Sequence, residues 1–187
     1  MKALILTVTT LMMSLSAWSF QDVSSFQTNL QVMAKTTGLN WKAGDYANYN
    51  MNMGFIKGTN NTSVREVTKN GIWMIQDMDL GFMGKQKMEA LIDQNTGEIK
   101  ELIVNGEKQD VPEPGNMEII SAEESSVTVP AGTFEAIYVK IKNNDDGNIS
   151  QIWINPELIP LNGSAKSISP SQFGDVTMEL TAYGHGN

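Results

Sequence analysis

Residues 47–55 read Ala47-Asn48-Tyr49-Asn50-Met51-Asn52-Met53-Gly54-Phe55. Ala47, Tyr49, Met51, Met53 and Phe55 are apolar or small, and the asparagines at 48, 50 and 52 alternate with them. Successive side chains leave a pleated chain on opposite sides, so a period of two predicts a strand with one dry and one wet face. This stretch follows Trp41, where the hydrophobic period changes to two and stays there.

Further strands are predicted at Ser63–Lys69, Gly71–Leu80, Gln86–Asp93, Glu98–Val104, Met117–Ser121, Ser125–Val129, Thr133–Lys142, Ser150–Ile154, Ser164–Ser169 and Val176–Tyr183. Lys69-Asn70-Gly71, Asn95-Thr96-Gly97, Asn105-Gly106, Pro130-Ala131-Gly132 and Asn144-Asp145-Asp146-Gly147 punctuate them. Asn-Gly supplies the positive φ angles of tight hairpins, which points to an antiparallel meander. Asn60-Asn61-Thr62-Ser63 reads as a polar turn, and Glu107–Asn116, with two prolines and three acids, as an exposed loop. No long helical pattern alternates with the strands, which disfavours a parallel α/β fold. The expected fold is mainly β: a single curved antiparallel sheet or half-open barrel of about ten strands with an N-terminal helix packed on it. A closed barrel or a sandwich is the alternative.

That helix is expected from Val23, Phe26, Leu30 and Met33, which recur at three- and four-residue spacing and form one apolar stripe. Asp22 or Ser24 can cap its start and Gly38 its end. Before it, Met1-Lys2, the largely apolar Ala3–Leu15 and Ala17-Trp18-Ser19 have the layout of a secretory signal peptide. Residues 1–19 are therefore expected to be removed, and 20–187 to form one β-rich domain. The apolar run is shorter than the roughly 20 residues that span a bilayer. Removing nineteen of 187 residues leaves 168, and losing Lys2 moves the formal net charge from −8 to −9. The expected product is soluble and periplasmic, with no membrane span in the mature chain.

Composition excludes several chemistries. There is no cysteine, hence no disulfide, thiolate metal site, thiol nucleophile or acylated cysteine anchor. The acidic balance argues against nucleic acid, whose phosphates require a basic surface. The single histidine, His185, lies in the last five residues. Ser164 and Lys166, two residues apart, lack the Ser-x-x-Lys spacing of helical amidase sites. Asp77 and Asp79 share a strand face, as a carboxylate pair would, and also as solvated charges would. Asp145-Asp146-Gly147 fits a hairpin turn and fails the calcium-loop register. No catalytic residue, metal site or cofactor is expected, and the protein reads as a non-enzyme, leaving only a carboxylate-based hydrolase as an enzymatic alternative.

Methionine is the unusual abundance, with nine beyond residue 19. Met51, Met53, Met74 and Met78 fall on the dry parity of their strands. Thioether side chains adapt to ligands of variable shape, so these residues and Trp73 are the candidate lining of an apolar site. Ordinary core is the plainer reading, and a copper site lacks the histidine or cysteine that usually joins methionine. Arg65, the only arginine, sits in a predicted strand, where its guanidinium can fork onto carboxylates.

Several phrases resemble those of uncharacterised exported bacterial β-proteins. They are Leu91–Ile99 followed by Val104-Asn105-Gly106, the Val129-Pro130-Ala131-Gly132-Thr133-Phe134 hairpin, Gln151–Pro156 with Ile159-Pro160, and the closing Met178–Gly184. Such domains are similar in fold to lipoprotein-localisation (Lol-type) carriers, half-open antiparallel barrels that hold an acyl chain beneath helical lids. The resemblance implies a carrier of an acyl chain, and together with the methionine pattern it gives the expectation of a non-enzymatic protein that holds a lipid, acyl chain or other hydrophobic ligand in the concave face at Met51, Met53, Trp73, Met74 and Met78. The alternative is a cell-envelope interaction module with a filled core, a protein partner and no small-molecule ligand.

Overall fold

The computed structural model describes residues 38–171 and 174–186, together with Gln27, Leu30, Gln31, Met33 and Ala34. The expected signal peptide at 1–19 lies outside the described residues, as do Val23 and Phe26 of the expected helix. The five N-terminal residues described have helical backbone, but no complete helix is bounded among the described residues.

Among the described residues, eleven strands follow in chain order: β1 (Tyr46–Met53), β2 (Ile56–Thr68), β3 (Gly71–Asp79), β4 (Lys85–Ile92), β5 (Ile99–Val104), β6 (Glu107–Gln109), β7 (Met117–Val129), β8 (Gly132–Asn143), β9 (Ile149–Ile154), β10 (Ser164–Ser171) and β11 (Gly174–Gly184). They form one sheet in the order β6-β5-β4-β3-β2-β1-β11-β10-β9-β8-β7. β1 sits at the centre, antiparallel to both β2 and β11. Five strands meander outward from it, and five return from the far edge.

The single jump is from β6, at one edge, to β7, at the other. Eleven strands at about 4.8 Å spacing span an arc of roughly 48 Å. The eight Cα steps from Gln109 to Met117 reach at most about 29 Å. The sheet must therefore curl until its edges face each other across this strap. The result is an open barrel, not a closed one, with the Val111 side chain of the strap packed on the core.

The curl is visible in the packing. One buried cluster joins Val64, Ile72 and Ile92, from β2 to β4, to Val127 and Val129 of β7, with Leu30 among them. The Pro130-Ala131 turn closes the circuit, because the Ala131 N–H donates to the Leu180 carbonyl of β11 at 3.0 Å.

Three expectations change. Asn60–Ser63 is no turn: it lies inside β2, paired with both β1 and β3, and Asn60 and Thr62 are buried. The dry parity of the strand outweighs the turn preference of asparagine, because those two positions must face the same side as Val64. Met117–Ser121 and Ser125–Val129 are one continuous strand. Glu107–Asn116 is part strand and part strap. The Asn105-Gly106 hairpin has the expected conformation, with φ of 53° and 85°.

Gly97 ties the N-terminal segment to the sheet. It adopts φ +73°, and a Cβ there would fall onto the Leu30 carbonyl. The turn is held by Asp93, whose Oδ1 accepts from the N–H groups of Asn95 and Thr96 and whose Oδ2 meets Lys100 Nζ at 2.6 Å. The Lys100 ammonium first, then those backbone donors, lower its pKa to about 2. A depressed carboxylate pKa stabilises the fold above the ordinary aspartate range, and that contribution is lost as pH falls through about 2.

Two expectations can be checked by urea unfolding. Gly97→Ala should cost roughly 1–3 kcal/mol and exceed the loss from Gly106→Ala, whose Cβ would meet nothing within 4 Å. Equal losses would mean that Leu30 does not rest on this turn. Asp93→Asn should flatten the fall in stability on acidification, and an unchanged acid profile would remove the Lys100 pairing from the account.

Candidate functional site

The buried side chains of β1, namely Ala47, Tyr49, Met51 and Met53, define the inner face of the sheet. Alternation gives β1 this dry face, and register then gathers partners onto it. Met51 lies opposite Met178 on one side and Gly58 on the other, and Met53 opposite Val176 and Ile56. At this end of the sheet Met51, Met53, Ile56 and Leu80 form a second cluster, with Met78, Met83, Val176 and Met178 packed against it and Met178 also touching the main core. Five of these eight residues are methionines, so the cluster has long, unbranched walls.

Two aromatic rings lie in the turns that adjoin these residues in sequence. Phe55, in the β1–β2 turn, and Phe82, in the 3-10 turn Gly81–Met83 between β3 and β4, are 80% and 79% exposed. Their centroids are 6.4 Å apart and their planes 13° from parallel. Exposed phenyl rings that stack on each other still leave much apolar area in water.

The inner face also carries polar groups with poor partners. The Asn60 side chain is 3% exposed. Its Nδ2 donates to the Met178 thioether at 3.6 Å, and its Oδ1 accepts from Thr62 Oγ1 at 3.5 Å. A thioether is a weak acceptor, and 3.5 Å is long for a hydroxyl donor. In the N-terminal segment, the buried Gln27 Oε1 has no hydrogen-bond partner among the described residues. Tyr49, by contrast, is well held: its hydroxyl donates to the Ser164 carbonyl at 3.0 Å. Burial pushes the pKa of that phenol far above its usual value.

The five predicted lining residues do not form one site. Met51 and Met53 belong to the methionine cluster, and Met78 packs on it. Met74 lies in the main core with Ile72 and Met88. Trp73 precedes Met74 on a strand, so it points to the opposite face. There its ring carries the Arg65 guanidinium at 4.7 Å from the centroid. Arg65 sits at a bulge in β2 and forks onto Glu66 and Glu89. Lys87 first, then Arg65, hold the Glu89 carboxyl below its usual pKa. Sequence reading missed Met83, Met178, Leu80 and the phenylalanine pair. Parity within one strand does not reveal which residues of other strands share its end.

The other candidates for chemistry are dispersed. Asp79 accepts from the Gly81 N–H and pairs with Lys85, and these hold its pKa low, while Asp77 lies opposite Lys87. A register shift separates Ser164 from Lys166, which pairs with Glu179. His185 is exposed beside the Leu158 carbonyl. Among the described residues no group of three or more histidine or carboxylate side chains is placed to hold a metal. No helix among them is long and apolar enough to cross a membrane.

No family model matches the chain, and no curated relative does. Solved structures do share its fold. Hypothetical protein CT021 from Chlamydia trachomatis superposes with a TM-score of 0.51 at 13% identity, over 86% of this chain and 92% of that one. The likeness establishes a common open-sheet fold and nothing about activity. Weaker likenesses, too distant to carry an argument, are to MucB in the MucA/MucB complex of Pseudomonas aeruginosa and to a Bacteroides fragilis protein with a YmcC-like fold. The first has a TM-score of 0.47 at 10% identity, over 89% of this chain and 58% of that one. The second has a TM-score of 0.40 at 10% identity, over 79% of this chain and 98% of that one. These likenesses do not show the expected similarity to lipoprotein-localisation carriers.

The hydrogen bonds of the inner face predict opposite responses. Asn60→Leu should leave stability unchanged or raise it by up to about 1 kcal/mol, because little bonding is lost with the amide. Tyr49→Phe should cost roughly 0.5–1.5 kcal/mol. Urea midpoints check both, and a loss above about 2 kcal/mol for Asn60→Leu would make that amide a structural bond.

Proposed function

We propose that this chain is an exported, soluble, non-enzymatic binding protein of the cell envelope, released from its first nineteen residues. Its inner face receives an acyl chain or another apolar ligand at the methionine cluster. The observation that supports this reading is the gathering of Met51, Met53, Met78, Met83 and Met178 in one cluster, whose flanking turns carry the exposed Phe55–Phe82 stack. A linear chain entering between these rings would displace pliable thioether side chains, which repack at lower cost than branched ones. Binding would draw on apolar burial, at about 0.8 kcal/mol for each methylene removed from water. The poorly bonded Asn60 amide lies next to Met178 and offers a polar contact for the head of such a ligand.

A second reading, an envelope interaction module with a filled core, draws on the burial of the same side chains. Met51 and Met53 are 6% and 1% exposed in this conformation, packed against protein atoms.

Titration with fluorescent fatty acids of increasing length separates the two. A methionine-lined groove should give saturable one-to-one binding that tightens about fourfold per methylene until the groove is filled. Met51→Asp with Met53→Asp should weaken it at least tenfold, and Phe55→Ser with Phe82→Ser, both on exposed residues, should slow uptake without unfolding the protein. Absence of saturable binding to the folded protein would leave the interaction module as the remaining reading.

A further inference from the structure

The two edges of the open sheet are unequal. β6 is three residues long, whereas β7 is a thirteen-residue strand that, among the described residues, pairs with β8 on one side only. From Val127 onward β7 dips into the main core, but from Met117 to Ser126 no residue is buried. Ile119 and Ile120 are 58% and 49% exposed. Along this stretch the N–H and C=O groups that point away from β8 meet no other strand among the described residues. Long, exposed, partly apolar edges template the pairing of another chain, and proteins usually blunt them with lysine or proline. β7 contains neither. It has a bulge at Ile120 and three exposed glutamates, Glu118, Glu123 and Glu124. None of the three glutamates is in an ion pair among the described residues.

We propose that the free edge of β7, from Met117 to Ser126, is the docking site for an extended segment of another protein that bears lysine or arginine. The segment adds to the sheet as a twelfth strand. Backbone hydrogen bonds give such β-augmentation its affinity, and side chains at alternate positions give it selectivity. The charge of the edge settles which occupant fits. Antiparallel pairing with a second copy of β7 centred on Ser121 would set Glu118 against Glu124. Centring on Glu123 would oppose that residue to itself. Like charges directly opposite each other are destabilising, so the glutamates that discourage self-pairing favour a basic strand. The lysines of β8, Lys140 and Lys142, lie one strand in from the edge, opposite Ser121 and Glu118. The site is distinct from the methionine cluster and does not depend on ligand binding there.

The test uses the full-length protein and a labelled nine-residue peptide alternating lysine with valine and threonine. Two control peptides accompany it, one with glutamate replacing lysine and one N-methylated at alternate residues. The basic peptide should bind at low salt at least tenfold tighter than either control. Amide hydrogen exchange should show new protection confined to Met117–Ser126. Glu123→Lys with Glu124→Lys, both on exposed positions, should reverse the preference toward the acidic peptide and leave fatty-acid binding unchanged. The proposal is overturned if the basic peptide fails to bind at millimolar concentration, if the N-methylated peptide binds equally, or if protection appears elsewhere. A dimer whose interface protects β7 would also overturn it, by giving the edge to a second copy.

Discussion

The strap from β6 to β7 is the constraint on which this structure depends. A sheet of eleven strands could lie open, with both faces in water and no interior. Joining its outermost strands through the short segment Asp110–Asn116 forces it to curl, and the curl creates a concave face. Only then do Val127 and Val129 of β7 reach the same core as Ile72 and Ile92, which lie on the other arm of the sheet. The central pairing of β1 with β11 sets the register that decides which side chains enter this interior.

The strap also explains what the sequence made legible. Alternation in Ala47–Met53 and the hairpin signals at Asn105-Gly106 and Pro130-Ala131-Gly132 are local, and these strands and turns appear where the residues place them. Glu107–Asn116 reads as an ordinary loop, because nothing in two prolines and three acids says that its ends lie on opposite edges of one sheet. Asn60 and Thr62 were obscured for a related reason. Four polar residues in a row suggest a turn, and the inward orientation of Asn60 and Thr62 follows from pairing with β1 and β3, which no window of sequence contains.

The candidate site was legible in the same partial way. Parity identified Met51, Met53 and Met78 as inward-facing, and they are. It also placed Met74 on the dry face, but not in which cluster. Trp73 stands next to Met74 in sequence, and adjacent residues of a strand cannot share a face. Its place on the far side, beneath Arg65, follows from the alternation itself. The convergence of Met83 and Met178 on Met51 depends on strand order, because β11 lies next to β1 only in three dimensions.

The two ends of the interior are built from different materials, and the difference follows from what closes each. At the Leu161 end the loops are pinned: Trp41 Nε1 donates to the Leu161 carbonyl, the Tyr49 hydroxyl to the Ser164 carbonyl, and the Asp45 carboxylate accepts from the Gly186 N–H. Directional bonds of this kind require fixed side-chain positions, and branched residues such as Ile72, Ile92 and Ile159 suit a rigid surround. At the Phe55 end the closing elements are a tight turn and a 3-10 turn, and their aromatic side chains touch each other and lie mostly in water. Packing that is not pinned from above tolerates unbranched side chains with several rotamers, and methionine fills that end. The edges show the same division of means. β6 is protected by brevity and β7 by negative charge. Of these two protections only the second remains open to a partner of opposite sign.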